Sequence, residues 1–197
     1  MTALAAKGVE VAYGDVIALG GVDLEVRDGD SLALVGRSGS GKTTLLHVLA
    51  GLVTPTAGTV DRHATTSLVF QGANLLPHFT ALENVLFAQG ASADPEHLLT
   101  LVGLESKRDH LPRELSGGEA QRVAIARSLA QQPAVLLCDE PTGHLDSDTS
   151  GRLLDLIEAL RAELGFALVI ATHDPTVANR SERIVELHDG HIVRERT

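Results

Sequence analysis

The stretch Gly36-Arg37-Ser38-Gly39-Ser40-Gly41-Lys42-Thr43 fits the pattern G-x-x-x-x-G-K-[ST]. An apolar strand, Ser31-Leu32-Ala33-Leu34-Val35, runs into it, and a helix with Leu45, Leu46, Val48 and Leu49 follows from Lys42 to Ala50. The glycines at 36, 39 and 41 let backbone N–H groups turn inward around an anion without interference from side chains. The helix that starts there adds its positive end. In this setting Lys42 reaches the β- and γ-phosphates of a nucleotide, and the Thr43 hydroxyl reaches Mg²⁺. Arg37, Ser38, Ser40 and Thr44 complete the cradle. The plain alternative, a Gly/Ser-rich turn with a solvent-facing lysine, does not account for a strand before and a helix after.

A second buried strand, Ala134 to Cys138, ends on Asp139-Glu140. An aspartate at such a tip holds Mg²⁺, usually through water, and the adjoining glutamate polarises the attacking water as a general base. Alone, Asp-Glu-Pro would be an ordinary turn leaving a sheet; Lys42 in the same chain favours the chemical reading.

The remaining pattern alternates strands and helices, which implies an α/β core. Val9 to Val26, broken by Gly14, Gly20-Gly21 and Asp28-Gly29, reads as antiparallel strands. Ser67 to Phe70 is a short strand. Gln71 to Arg113 reads as loop and helix punctuated by Pro77, Pro95 and Pro112. A helix from near Gly118 carries Val123, Ala126 and Ala130 on one face and stops at Pro133. Leu153, Ile157, Leu160 and Leu164 recur at helical spacing. Phe166 to Ala171 is a buried strand, and Arg183 to Arg194 reads as a hairpin turning at Asp189-Gly190.

At 197 residues and 44% hydrophobic, the chain reads as one domain, 1–197. A net charge of −10 without a Lys/Arg cluster argues against nucleic acid as a partner. The single cysteine, Cys138, excludes an intrachain disulfide framework. No apolar run approaches the roughly 20 residues that span a bilayer, and Met1 to Gly8 lacks the apolar region of a signal peptide.

Leu115-Ser116-Gly117-Gly118-Glu119-Ala120-Gln121, together with the glycine loop, resembles the signature of the ATP-binding cassette (ABC) family. Matching motifs run from Tyr13 to about Val193, and the chain is similar to the nucleotide-binding subunit of an ABC transporter. The resemblance implies a P-loop core with an N-terminal antiparallel β-subdomain and a shortened α-helical subdomain at about 72–132. It assigns Tyr13 to stacking on adenine and Gln71 to sensing Mg²⁺ and the attacking water. Ser116, Gly117 and Gly118 would contact the γ-phosphate held by a second subunit. Asp146 would signal across the dimer, and His173 would contact the γ-phosphate. For Ser116 and Asp146 a helix-capping role stands beside the family role.

The implied cofactors are ATP and Mg²⁺. The implied partners are a second copy of the subunit and separate transmembrane permease subunits, at the cytoplasmic face of the membrane. Pro141 to Asp146, Asn74-Leu75-Leu76-Pro77, Leu82-Glu83-Asn84-Val85 and Thr172 to Pro175 resemble the lipoprotein-releasing, macrolide-exporting and cell-division branch, with His144 replacing an expected asparagine. A mechanical or regulatory role at the membrane is the alternative. The segments 51–70 and 71–115 are shorter than the family's, which bears on how a membrane partner docks. A P-loop kinase or GTPase is disfavoured, because neither explains Leu115 to Gln121 and no Asn-Lys-x-Asp motif is present.

Overall fold

The computed structural model describes residues 1–88 and 94–197; part of the expected helical insertion, residues 89–93, lies outside the described residues. Strands β1 (Thr2–Tyr13) and β2 (Val16–Arg27) form a long antiparallel hairpin around Gly14-Asp15. Gly20-Gly21, expected to break the strands, instead lies inside β2. Gly8 and Gly21 both take positive φ, 56° and 84°, and each shifts the side-chain parity of its strand. The inward set passes from Leu4 and Ala6 to Val9 and Val11 on β1, and from Leu19 to Val22, Leu24 and Val26 on β2. The Asp23 carboxylate fixes the bulge by accepting from the Gly8 N–H at 2.8 Å.

The strand β3 (Ser31–Val35) leads through the glycine loop into helix α1 (Lys42–Leu49). Strand β4 (Ala57–Arg62), absent from the sequence reading, pairs antiparallel with β1 and completes a three-stranded sheet. From β4, Arg62 closes the C-terminal end of α1, donating to the carbonyls of Leu49 at 3.0 Å and Val48 at 2.5 Å. A cation there satisfies orphan carbonyls and complements the helix dipole.

There follow β5 (Thr66–Val69), α2 (Ala81–Phe87), α3 (Pro95–Leu101) and α4 (Gly117–Leu129). Then come β6 (Val135–Asp139), α5 (Ser147–Leu164), β7 (Ala167–Thr172), the short α6 (Pro175–Ala178), β8 (Arg183–His188) and β9 (His191–Arg196). The second sheet has the order β5-β6-β7-β3-β8-β9, parallel except for β9.

The parallel sheet is buried on both faces, as helical crossovers require. On one face Leu32, Leu34, Leu137 and Val169 meet α1 and the antiparallel sheet. On the other, Leu136, Cys138, Leu168 and Ile170 meet α4 and α5. Leu153, Ile157 and Leu160 are buried as their spacing predicts, whereas Leu164 is exposed and Leu154 is buried in its stead. Among the described residues no helix is long and apolar enough to cross a membrane.

The expected turn at Asp189-Gly190 is present, with both residues at positive φ, 47° and 78°. It joins three parts of the molecule: the Gly190 N–H donates to the Ser40 carbonyl, and the Gly190 carbonyl accepts from the Gly20 N–H, each at 3.0 Å. The carboxyl ends of β5, β6, β7 and β3 open on one edge of the sheet, where ligands of open α/β sheets bind.

Candidate functional site

A cleft of about 610 Å³ lies along that edge. It gathers Arg37, Ser38 and Gly39 after β3, then Gly41 to Thr44 at the start of α1. Gln71 after β5, Glu140 after β6 and His173 after β7 also line it, as do Val16 to Ala18 of β2. The segments after β3, β5, β6 and β7 meet because those strands are neighbours.

The glycine loop is wrapped around its own lysine. Lys42 is buried, and its Nζ donates to the carbonyls of Gly36 at 2.8 Å and Arg37 at 3.2 Å. Gly41 has φ 104°, and a Cβ there would lie 2.6 Å from the Ala18 carbonyl oxygen. At Gly36 a Cβ would strike the Leu187 carbonyl and the Ser40 side chain. These glycines are demanded by close approach as well as by conformation. The Ser40 hydroxyl is buried without a protein partner.

Asp139 is buried to 3% exposure, and its Oδ1 has no protein hydrogen-bond partner. Burial pushes its pKa up; the hydrogen bond from Thr43 opposes that, and the charge of Glu140 adds to it. A half-satisfied carboxylate beside a threonine hydroxyl fits Mg²⁺, which takes one or two protein oxygens and completes its shell with water and phosphate oxygens. Among the described residues no group of three or more His, Cys, Asp or Glu is placed to hold a metal ion.

Glu140 has φ 43°, a left-handed conformation costing a non-glycine residue about 1–3 kcal/mol. The fold enforces it: the Glu140 N–H donates to the Ala171 carbonyl at 2.9 Å, and its carbonyl accepts from the Gly143 N–H at 3.0 Å. The side chain is thereby turned into the cleft, where Oε1 lies 3.0 Å from His173 Nδ1. This pairing was not foreseen from sequence. It joins the expected base to the expected phosphate contact.

Ser116, Gly117, Gly118 and Asp146 do not line this cleft. Ser116 and Gly118 instead line a separate cavity of about 440 Å³ between α4 and α5, together with Arg122, Thr149 and Arg152. Both capping readings hold. Ser116 and Glu119 form a reciprocal box, with the Glu119 N–H donating to Ser116 Oγ at 3.2 Å and the Ser116 N–H to Glu119 Oε2 at 2.8 Å. Asp146 caps α5 by accepting from the Thr149 N–H at 2.9 Å.

Tyr13 is exposed at the end of β1 and is not among the cleft-lining residues, although its register partner Val16 is. Val16 and Ile17, both more than 60% exposed, form the apolar rim beside the phosphate loop. Sequence reading passed over them; two apolar residues directly after a tight turn were the available signal.

Comparison with known proteins agrees with this geometry. The sequence profile described as ABC transporter matches residues 19–143. The lipoprotein-releasing system ATP-binding protein LolD of Legionella pneumophila (strain Lens) is 45% identical over 87% of this chain and 87% of the relative. The protein of that name from Shewanella oneidensis is 42% identical over 96% of this chain and 95% of its own length. Among solved structures, the dimeric post-hydrolysis state of the ATP-binding cassette MJ0796 with ADP and Pi superposes with a TM-score of 0.86. It is 35% identical and covers 98% of each chain. The cbiO1 protein of Clostridium perfringens, described as part of the ABC transporter complex cbiONQ, gives a TM-score of 0.88 at 25% identity, over 98% of this chain and 88% of its own. The profile and these relatives show that the chain belongs to the ABC transporter family, as an ATP-hydrolysing subunit.

Proposed function

We propose that two copies of this subunit clasp ATP between them, and that closing and reopening of the pair drives membrane-spanning partners that release lipoproteins. The observation that carries the reading is the separation of the phosphate cleft from the Ser116 cavity. One copy supplies the loop, Asp139, Glu140 and His173, while a second, turned head to tail, supplies Ser116, Gly117 and Gly118 through its exposed helix start. The dimeric relative with ADP and Pi supports such a pairing, and the lipoprotein-releasing relatives support the cargo.

In the closed pair Lys42 leaves its carbonyl partners for the β- and γ-phosphates. The loop amides and the Thr43 and Thr44 side chains hold the phosphates against the start of α1. Thr43, Asp139 and Gln71 would hold Mg²⁺, which would supply charge neutralisation for the phosphate oxygens. Glu140 accepts a hydrogen bond from the attacking water, and His173, 3.0 Å from Glu140 Oε1, contacts the γ-phosphate. Tyr13 lies at the hairpin end for the base, with Val16 and Ile17 forming the rim. Asp146 sits at the dimer seam. Because ATP binds the closed pair better than the open one, it shifts the population toward closure.

A groove of about 360 Å³ beside β5 and α4, with Phe70, Leu76 and Phe87 in its lining, is the seat for the membrane partner. It lies next to Gln71, so docking and hydrolysis adjoin. A membrane partner seated there would hold the subunit peripherally on the cytoplasmic face.

Glu140→Gln tests the reading. The variant keeps ATP binding, loses turnover and forms an ATP-dependent dimer on size exclusion with light scattering. Turnover at the wild-type rate, or a monomer with ATP bound, would refute it.

A further inference from the structure

We propose that Arg127 is a positioning residue for hydrolysis: its guanidinium ties the segment behind Gln71 to the signature helix and so sets where Gln71 stands in the phosphate cleft. The inference rests on the reading of Gln71 given above. Arg127 lies near the C-terminal end of α4, at the opposite end from Ser116. Its Nη1 donates to the Asn74 carbonyl at 2.8 Å and its Nη2 to the Ala73 carbonyl at 3.0 Å. Asn74 has φ 44°, so this stretch of backbone is held in a conformation a non-glycine residue adopts at a cost. The planar fork of an arginine matches two adjacent acceptors, where an ammonium would meet them as a single point.

The charge itself is informative. Arg127 is substantially withdrawn from water, and burial alone pulls its pKa down. Among the described residues no carboxylate forms an ion pair with it. Its two donors meet neutral carbonyls only, and what they secure is the geometry of residues 73–74.

The same segment is gripped a second time. Asn84 on α2 is fully buried, and its side chain takes the Leu76 N–H at 2.8 Å while donating to the carbonyls of Phe79 and Thr80, each at 3.0 Å. The chain from Ala73 to Thr80 is therefore fastened to α4 by Arg127 and to α2 by Asn84. Only Gly72, at φ 75°, separates the fastened part from Gln71. Arg127 also lines the groove that holds Phe87 and Leu76. An occupant of that groove touches the very side chain that fixes the segment behind Gln71.

The test is a double-mutant cycle on the full chain, reading kcat for ATP and the Kd for Mg-ATP. Arg127→Gln is expected to lower kcat about tenfold with Kd changed by less than about twofold, the split that marks a loss in the transition state alone. Arg127→Lys falls between the two. Adding Arg127→Gln to Gln71→Ala lowers kcat no further, because coupled residues are non-additive. Losses that multiply, an unchanged kcat in Arg127→Gln, or a parallel loss of ATP affinity would overturn the proposal while leaving Gln71 in place. An unchanged kcat in Gln71→Ala overturns the Gln71 reading and the positioning role with it. Should Arg127→Gln not fold, Arg127→Lys takes its place in the same cycle.

Discussion

Glu119 shows how one side chain serves a helix and a site together. Its carboxylate accepts from the Ser116 N–H, and that bond, with help from the Ser116 hydroxyl and Lys107, holds its pKa below the usual carboxylate value. The sign follows from linkage. A carboxyl depressed by folding contributes stability above its unfolded pKa, and that contribution is lost as pH falls through the folded value. The start of α4 is therefore expected to be less stable in acid. Glu119→Gln retains an acceptor oxygen but no titration at this site. Its melting temperature is expected to be lower than wild type at neutral pH and to fall less steeply on acidification, as measured by calorimetry across a pH series. Parallel curves for the two proteins would remove Glu119 from the acid response.

At the scale of elements, the starts of α4 and α5 touch. A Cβ on Gly118 would lie 2.6 Å from Thr149 Cγ2, and Thr149 is the residue whose N–H Asp146 caps. Gly118→Ala is expected to cost about 1–3 kcal/mol by overpacking, read from the denaturation midpoint. Thr149→Ser keeps the hydroxyl, removes the methyl, and should recover most of that loss when combined with Gly118→Ala. A double variant no more stable than the single one would place the cost elsewhere.

The contact also marks the limit of what the sequence made legible. The strand–loop–helix around Lys42 and the buried strand ending at Asp139 could be read because their residue types obey local rules: unbroken apolar runs, glycines where backbone must face an anion. The caps at Ser116 and Asp146 were legible for the same reason. Gly20-Gly21 misled because a bulge and a turn call for the same residue. Strand β4 was missed because Ala57-Gly58-Thr59-Val60-Asp61-Arg62 has no strong alternation, and its place is decided by pairing with β1. The Glu140–His173 bond and the Arg127 contacts join residues far apart in sequence, and nothing local announces them.

For the whole molecule, the two cavities make a prediction about mixtures. On the proposed head-to-tail pairing, Lys42→Ala disables the cleft of its own copy, whereas Ser116→Arg disables the cleft of its partner. Each variant alone should be inactive. Mixed in equal amounts, they can form pairs with one intact centre, the cleft of the Ser116→Arg copy met by the signature of the Lys42→Ala copy. Turnover is expected to reappear in the mixture at a fraction of the wild-type rate, measured as phosphate release. A mixture as silent as its components would argue that both centres must work at once or that the halves are not shared.

The Gly190 turn bears on how the subunit meets its nucleotide. One residue near the chain's end grips both the phosphate loop, through Ser40, and the strand that leads from the Val16–Ile17 rim, through Gly20. On the proposed reading, the surfaces that meet base and triphosphate are thus tied together through one turn.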